Sequence, residues 1–164
     1  MYSSNLSSHL NTDWNSQNYA LLELSAKVEY ALLALLKLAK HYDKKVPLTI
    51  NEIAAKQPIP ERYLEQILAQ LRRAGMVQSQ RGSKGGFVLV NDPWQITVLE
   101  IVTLVEGERK EKESTGTRTL EKGLILEVWA KANIASIEVL RSYTLQDLYH
   151  ETETRTQNSP MYYI

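Results

Sequence analysis

The apolar positions Val28, Ala31, Leu32, Leu35, Leu36 and Ala39 recur every three or four residues, which predicts a helix from residue 26 to about 41 with Ser25 as its cap. Lys44, Lys45 and Pro47 break that pattern. Thr49-Ile50-Asn51-Glu52 has the spacing of a capping box, in which a hydroxyl accepts from the third helical amide while the glutamate reaches back. It predicts a short helix ending near Lys56. Proline is tolerated at a first helical position, so Pro60 is expected to open the next helix. Tyr63, Leu64, Ile67, Leu68 and Leu71 form its apolar stripe, and Gly75 stands where a helix-ending glycine belongs.

The period then shortens. Residues 76–80 and 87–90 read as two short strands, joined by Arg81-Gly82-Ser83-Lys84-Gly85-Gly86 as a hairpin loop. Asn91-Asp92-Pro93 turns the chain, and a second capping box, Thr97-Val98-Leu99-Glu100, opens a helix through Val105 that stops at Gly107. Residues 108–119 contain no apolar side chain and are expected to form a mobile loop. Leu120, Leu124, Val128, Ile134, Ile137 and Leu140 mark a long helix over 120–142, and Thr144 caps a last short one over 145 to about 151. The resulting organisation is a flexible Ser- and Asn-rich arm (1–23), a compact unit (24–107), the loop (108–119), a helical assembly element (120–151) and a polar tail (152–164). Lying outside a compact unit, the long helix would leave its apolar band wet. Pairing with a second copy is the common solution, and folding back on its own domain is the other.

The fold class that follows is mainly α with a small β-hairpin wing: a winged helix-turn-helix plus a long dimerisation helix. Such a unit places one helix in a major groove and a ribbon against the flanking backbone. Net charge is zero and so does not advertise a nucleic acid, but residues 56–90 carry six basic side chains against two acidic ones. Charge runs are often only solvated helix faces; the glycine-rich basic loop shifts the reading toward DNA. No cysteine is present, which removes disulfides, zinc ribbons, thiolate nucleophiles and cysteine-held clusters. No apolar run would span a bilayer, and the polar start lacks the pattern of a secretory signal, so a cytoplasmic location is expected.

Arg62, Tyr63, Glu65 and Gln66 fall on the first two turns of the second helix of the motif. Glutamine can pair with adenine, glutamate accepts from cytosine, and arginine grips guanine or a phosphate. Tyr63 reads more as partly core than as a reader. In the loop, Arg81 suits the negative potential of a narrow minor groove and Lys84 a phosphate, although tight hairpins use glycines for purely structural reasons too. Thr49, Arg72 and Ser83 complete this candidate set. A nucleotide-cradling loop is a poor fit, because no Gly-Lys-Ser/Thr opens a helix. An enzyme has little behind it: there is no supported Ser/His/Asp arrangement, and Glu106 and Glu108 merely flank Gly107.

Leu24-Ser25-Ala26-Lys27-Val28-Glu29-Tyr30-Ala31, Pro60-Glu61-Arg62-Tyr63-Leu64-Glu65-Gln66-Ile67-Leu68, Leu71-Arg72-Arg73-Ala74-Gly75 and Arg81-Gly82-Ser83-Lys84-Gly85-Gly86 together resemble the Rrf-two family of bacterial transcriptional regulators, over roughly residues 24–151. The resemblance implies a homodimer with crossed long helices on a palindromic operator in double-stranded DNA. It implies base reading by Arg62, Glu65 and Gln66, Arg81 in the minor groove, and Lys27 and Tyr30 near the backbone. Cluster-binding members carry three cysteines before the long helix and sometimes a histidine within it. The corresponding positions here hold Glu111, Thr117 and Gly123, with Leu126 at the histidine. Glu29 matches a carboxylate ligand of some members but reads as a helix-surface charge. His9, His41 and His150 show no metal spacing. The expectation is therefore a regulator, a repressor in the family's commoner mode, with no cofactor and no bound metal. A small molecule or partner enzyme would set its DNA affinity. A different class of reading is a winged-helix module whose main task is binding a metabolic enzyme, through the apolar end Met161-Tyr162-Tyr163-Ile164. A ligand pocket is also conceivable between residues 94–105 and the long helix near Trp129, although tryptophans there are more often core.

Overall fold

Ser25 opens the first helix as expected: its backbone is extended and its hydroxyl accepts from the Val28 amide at 3.2 Å. The computed structural model describes residues 22–107, 116, 117 and 119–159. In chain order the elements are α1 (Ala26–Lys40), α2 (Ile50–Ala54), α3 (Glu61–Arg73), β1 (Val77–Gln80), β2 (Gly86–Leu89), α4 (Val98–Glu106), α5 (Leu120–Ser142) and α6 (Leu145–Asn158), with a 3-10 turn at Pro93–Gln95 before α4. The expected mobile loop falls largely outside the described residues, as do the first 21 residues and the final Met161-Tyr162-Tyr163-Ile164.

Three helices begin with complete capping boxes: Thr49 with Glu52, Thr97 with Glu100 and Thr144 with Asp147. The sequence pattern differs from the structure at α3. Pro60 is the cap rather than the first helical residue, extended at ψ 130°, and its carbonyl accepts from Tyr63 and Leu64. The helix ends as Gly75 predicts. That glycine adopts φ +78°, its amide donates to the Arg72 carbonyl, and the Met76 amide donates to Leu71, which closes the orphan carbonyls of the last turn.

The core lies where α1, α3 and α4 meet. Leu35, Ile53, Leu64, Ile67, Leu68, Leu71, Val77, Ile101 and Leu145 are its largest fully buried side chains. Each contributes about 1.5–3 kcal/mol by leaving water. Leu32 and Leu36, expected to face the core, are only partly buried, while Ala34 and Leu38 are buried instead. The two strands pair antiparallel, Val77 opposite Leu89 and Gln80 opposite Gly86. A third segment joins them that the sequence does not announce. Leu48 and Phe87 exchange backbone hydrogen bonds of 3.0 and 2.7 Å, which ties the residue before α2 to the base of the wing.

A similar single pair, Thr97 with Thr144, fastens the start of α4 to the α5–α6 junction through Val98-to-Tyr143 and Leu145-to-Ile96 bonds of 2.9 and 2.8 Å. The last helix is longer than its expected end at 151. No glycine or proline interrupts residues 151–158, Arg155 pairs with Glu151 one turn back, and Glu153 meets Lys40 of α1 at 3.6 Å.

The long helix has the predicted bounds, and none of its residues is buried. Every side chain from residue 124 through 135 is exposed. Ile137 and Leu140, toward its end, are partly covered. Among the described residues, no helix is long and apolar enough to cross a membrane.

Candidate nucleic-acid interface

The amphipathic sequence of α3 settles which of its residues face out. Leu64, Ile67, Leu68 and Leu71 hold the helix to the core, and this leaves Arg62, Glu65 and Gln66 exposed on its first two turns. Tyr63, expected to be partly core, is 55% exposed. Its ring packs instead against Tyr30, with centroids 6.2 Å apart and planes tilted by 45°. That contact sets the middle of α1 beside the start of α3, with Lys27 exposed three residues before Tyr30. Arg72 is exposed at the opposite end of α3, about 15 Å along the axis from Arg62 at 1.5 Å per residue.

At the wing, Arg81, Ser83 and Lys84 are exposed at the tip. Tight geometry accounts for the glycines behind them. A β-carbon on Gly85 would lie 2.6 Å from the Gln80 carbonyl oxygen, and one on Gly86 would lie 2.4 Å from the Leu48 carbonyl. The close pass at Gly86 is what brings Leu48 against Phe87. Thr49, the next residue, is thereby set at the base of the wing. Its amide and hydroxyl both donate to the Glu52 carboxylate, at 2.7 and 3.0 Å, so its donors are already engaged. The same bonds hold the Glu52 carboxyl below the ordinary carboxylate value, the backbone amide first and the hydroxyl second.

Two junctions, Tyr30–Tyr63 and Leu48–Phe87, therefore join the parts of this surface. Among the described residues the ion pairs are Lys40–Glu153 and Glu151–Arg155. Arg62, Arg81 and Lys84 thus have no carboxylate partner there, which leaves their charge for an external anion such as phosphate.

The sequence reading missed Gln70. Its side-chain amide donates to the Leu104 carbonyl at 2.8 Å, binding the recognition-type helix to the last turn of α4. At the same end of α4, the Glu106 carboxylate accepts from the Ser25 hydroxyl. A glutamine between the core positions Ile67 and Leu71 was the available signal. Trp94 and Trp129, considered as walls of a pocket, are 59% and 70% exposed.

The sequence profile of Rrf2, described as an iron-dependent transcriptional regulator, matches residues 24–151. The chain belongs to this Rrf2 family. The HTH-type transcriptional regulator CymR of Bacillus subtilis is 36% identical over 148 residues, 87% of this chain and all of CymR. A solved structure of B. subtilis CymR, there called the global cysteine regulator, superposes with a TM-score of 0.70 at 34% identity, covering 80% of this chain and 98% of that one. The structure of T. potens IscR gives 0.68 at 36% identity, with 82% and 90% covered. This Rrf2 protein is thus a DNA-binding transcriptional regulator with a mainly helical, winged fold, and not an enzyme.

A cysteine-held iron site does not fit the donors of this chain. The chain has no cysteine, and no three His, Asp or Glu side chains gather for a metal among the described residues. Gly123 and Leu126, two of the positions that the resemblance assigns to ligands, lie within α5, and neither carries a ligating side chain. A thiolate-held cluster has nothing here to hold it.

Proposed function

We propose that this regulator is a homodimeric, operator-specific repressor whose DNA affinity is set by a small molecule or a partner protein. The observation that carries the reading is the exposed set Arg62, Arg81 and Lys84, without an ion-pair partner among the described residues, with α3 tied to α1 by Tyr30–Tyr63 and the wing tied to the segment before α2 by Leu48–Phe87. In this reading the first turns of α3 enter a major groove, where Arg62, Glu65 and Gln66 meet base edges. The wing crosses the backbone, with Arg81 in the adjoining minor groove and Ser83 and Lys84 on phosphates. Lys27 and Tyr30 flank the backbone from α1. The exposed α5 pairs with its twin and sets two such surfaces against the halves of a palindrome.

The test is a binding titration of the purified, metal-free protein at fixed salt, against its own promoter region and against random duplex. A preference of about a thousandfold or more supports sequence reading without a cluster. Equal, weak binding to both would overturn it. Repression is read separately, from transcription of that promoter with and without the protein.

A further inference from the structure

Between the end of α1 and the two strands of the wing lies a groove of about 270 Å³, lined by none of the residues proposed to touch DNA. Its lining includes the apolar Leu38, Phe87 and Leu89 together with His41, Tyr42 and Lys45.

The backbone of the groove is unfinished. Because Leu48 and Phe87 exchange hydrogen bonds, the alternation of an antiparallel ladder turns the amide and carbonyl of Leu89 toward the same edge, opposite Val46. Among the described residues no backbone bond joins Leu89 to Val46. The chain has already turned away: the Lys45 amide donates to Tyr42, and Lys45 adopts φ +51°, a left-handed conformation unusual for a side-chain-bearing residue. The ladder stops after one pair, so a backbone donor and acceptor face an open groove.

Lys45 brings a cation to the groove, and no carboxylate is among the lining residues. The nearby Asp92 stands beside the Tyr42 hydroxyl, and Asp43 is exposed on the turn. Lys44 adds a further cation next to Lys45. His41 donates from Nδ1 to the Lys37 carbonyl at 3.0 Å, so the other nitrogen of its neutral ring is an acceptor and offers an anion no hydrogen bond.

We infer that this groove is a binding site for a compact carboxylate with an apolar body. Its hydrocarbon would rest on Leu38 and Phe87, and its carboxylate would meet the Lys45 ammonium, with the Leu89 amide as a further donor. Gln78 and Gln80 of β1 also line the groove, so an occupant touches the strands that carry Arg81. The inference deepens the proposed control by a small molecule and rests on it for its regulatory meaning.

The experiment is an amide-resolved NMR titration of the full chain, without DNA, using 1-naphthoate as the probe and the uncharged 1-naphthalenemethanol as its control. Saturable shifts at Gln78, Val88 and Leu89 are expected, roughly tenfold weaker for the alcohol. Lys45→Gly removes the ammonium and relaxes the positive φ, so it keeps the fold while losing about the same factor. Shifts confined to α5, equal binding of acid and alcohol, or no saturation at millimolar probe would each overturn the site. Because no DNA is present, such a failure leaves operator reading to be decided by its own titration.

Discussion

Gly86 crosses the backbone of Leu48 so closely that a β-carbon there would meet the Leu48 carbonyl carbon and oxygen at 2.4 Å. That approach permits the Leu48–Phe87 hydrogen bonds and so anchors the wing to the segment leading into α2. Gly86→Ala must push the two backbones apart. Losing two hydrogen bonds, with added strain at φ +154°, is expected to cost about 2–4 kcal/mol of stability. Gly82 also has positive φ, but nothing lies within 4 Å of its missing β-carbon, so Gly82→Ala is expected to cost only about 1 kcal/mol. Urea unfolding of both variants checks the contrast; equal losses would mean that the close approach is not what Gly86 provides.

The wing and the α3 side chains are expected to fail in different ways. Arg81→Ala removes a charge from the tip, so it lowers the salt slope by about one ion and weakens the operator more than random duplex, since the narrow groove it would enter depends on sequence. Gln66→Ala is expected to cost about 1–3 kcal/mol on the operator while leaving random duplex nearly unchanged. Anisotropy titrations over a salt series separate the two. An Arg81→Ala protein with unaltered affinity and slope would take the wing off the DNA.

Much of this architecture was legible because it is written in local chemistry. Thr49 with Glu52 and Thr97 with Glu100 fix helix starts within four residues, and Gly75 fixes a helix end, so those boundaries need no tertiary information. The features that escaped the sequence reading are non-local. The Leu48–Phe87 and Thr97–Thr144 pairs are one residue long and leave no periodic trace. Gln70 looks like any helix-surface amide until α4 offers its carbonyl. Tyr63 lies on the apolar stripe by spacing, yet the tyrosine of α1 stacks on it near the surface instead of the core closing over it. The end of α6 was missed for a local reason: Thr152 and Thr154 have modest helix propensity, and the Glu151–Arg155 and Lys40–Glu153 pairs support the extra turns.

Two helix caps make stability sensitive to acid. The Thr49 amide, then its hydroxyl, holds Glu52 below its ordinary value of 4.5, and the Thr144 amide and hydroxyl do the same to Asp147 below 3.8. A carboxyl with a lowered folded-state pKa binds fewer protons folded than unfolded, so its contribution is complete above the unfolded value. It is lost as the pH falls through the folded one. Stability is therefore expected to hold from neutral pH down to about 5 and to decline below 4.5. Glu52→Gln and Asp147→Asn retain an acceptor for the cap but cannot titrate. The double variant is expected to show a shallower decline in unfolding free energy between pH 5 and 3, measured in urea; an unchanged decline would place the acid sensitivity elsewhere.

The exposed α5 gives the sharpest test of assembly. Leu124, Val128, Trp129 and Ile134 are 55%, 59%, 70% and 55% exposed, a concentration of apolar surface that water does not tolerate well on an isolated chain. In the proposed dimer a second α5 covers it. Val128 stands one turn from Leu124 on the same side of the helix, so Val128→Glu would put a charge where the twin helix packs. Sedimentation velocity is expected to show dimer for the unaltered protein and monomer for the variant. Operator affinity should fall by roughly a hundredfold or more, because one winged unit alone grips one half-site. Random-duplex affinity per protomer should change far less, since the basic surface on α3 and the wing is intact. A monomeric unaltered protein, or a Val128→Glu protein that still sediments as a dimer, would remove α5 pairing from the mechanism.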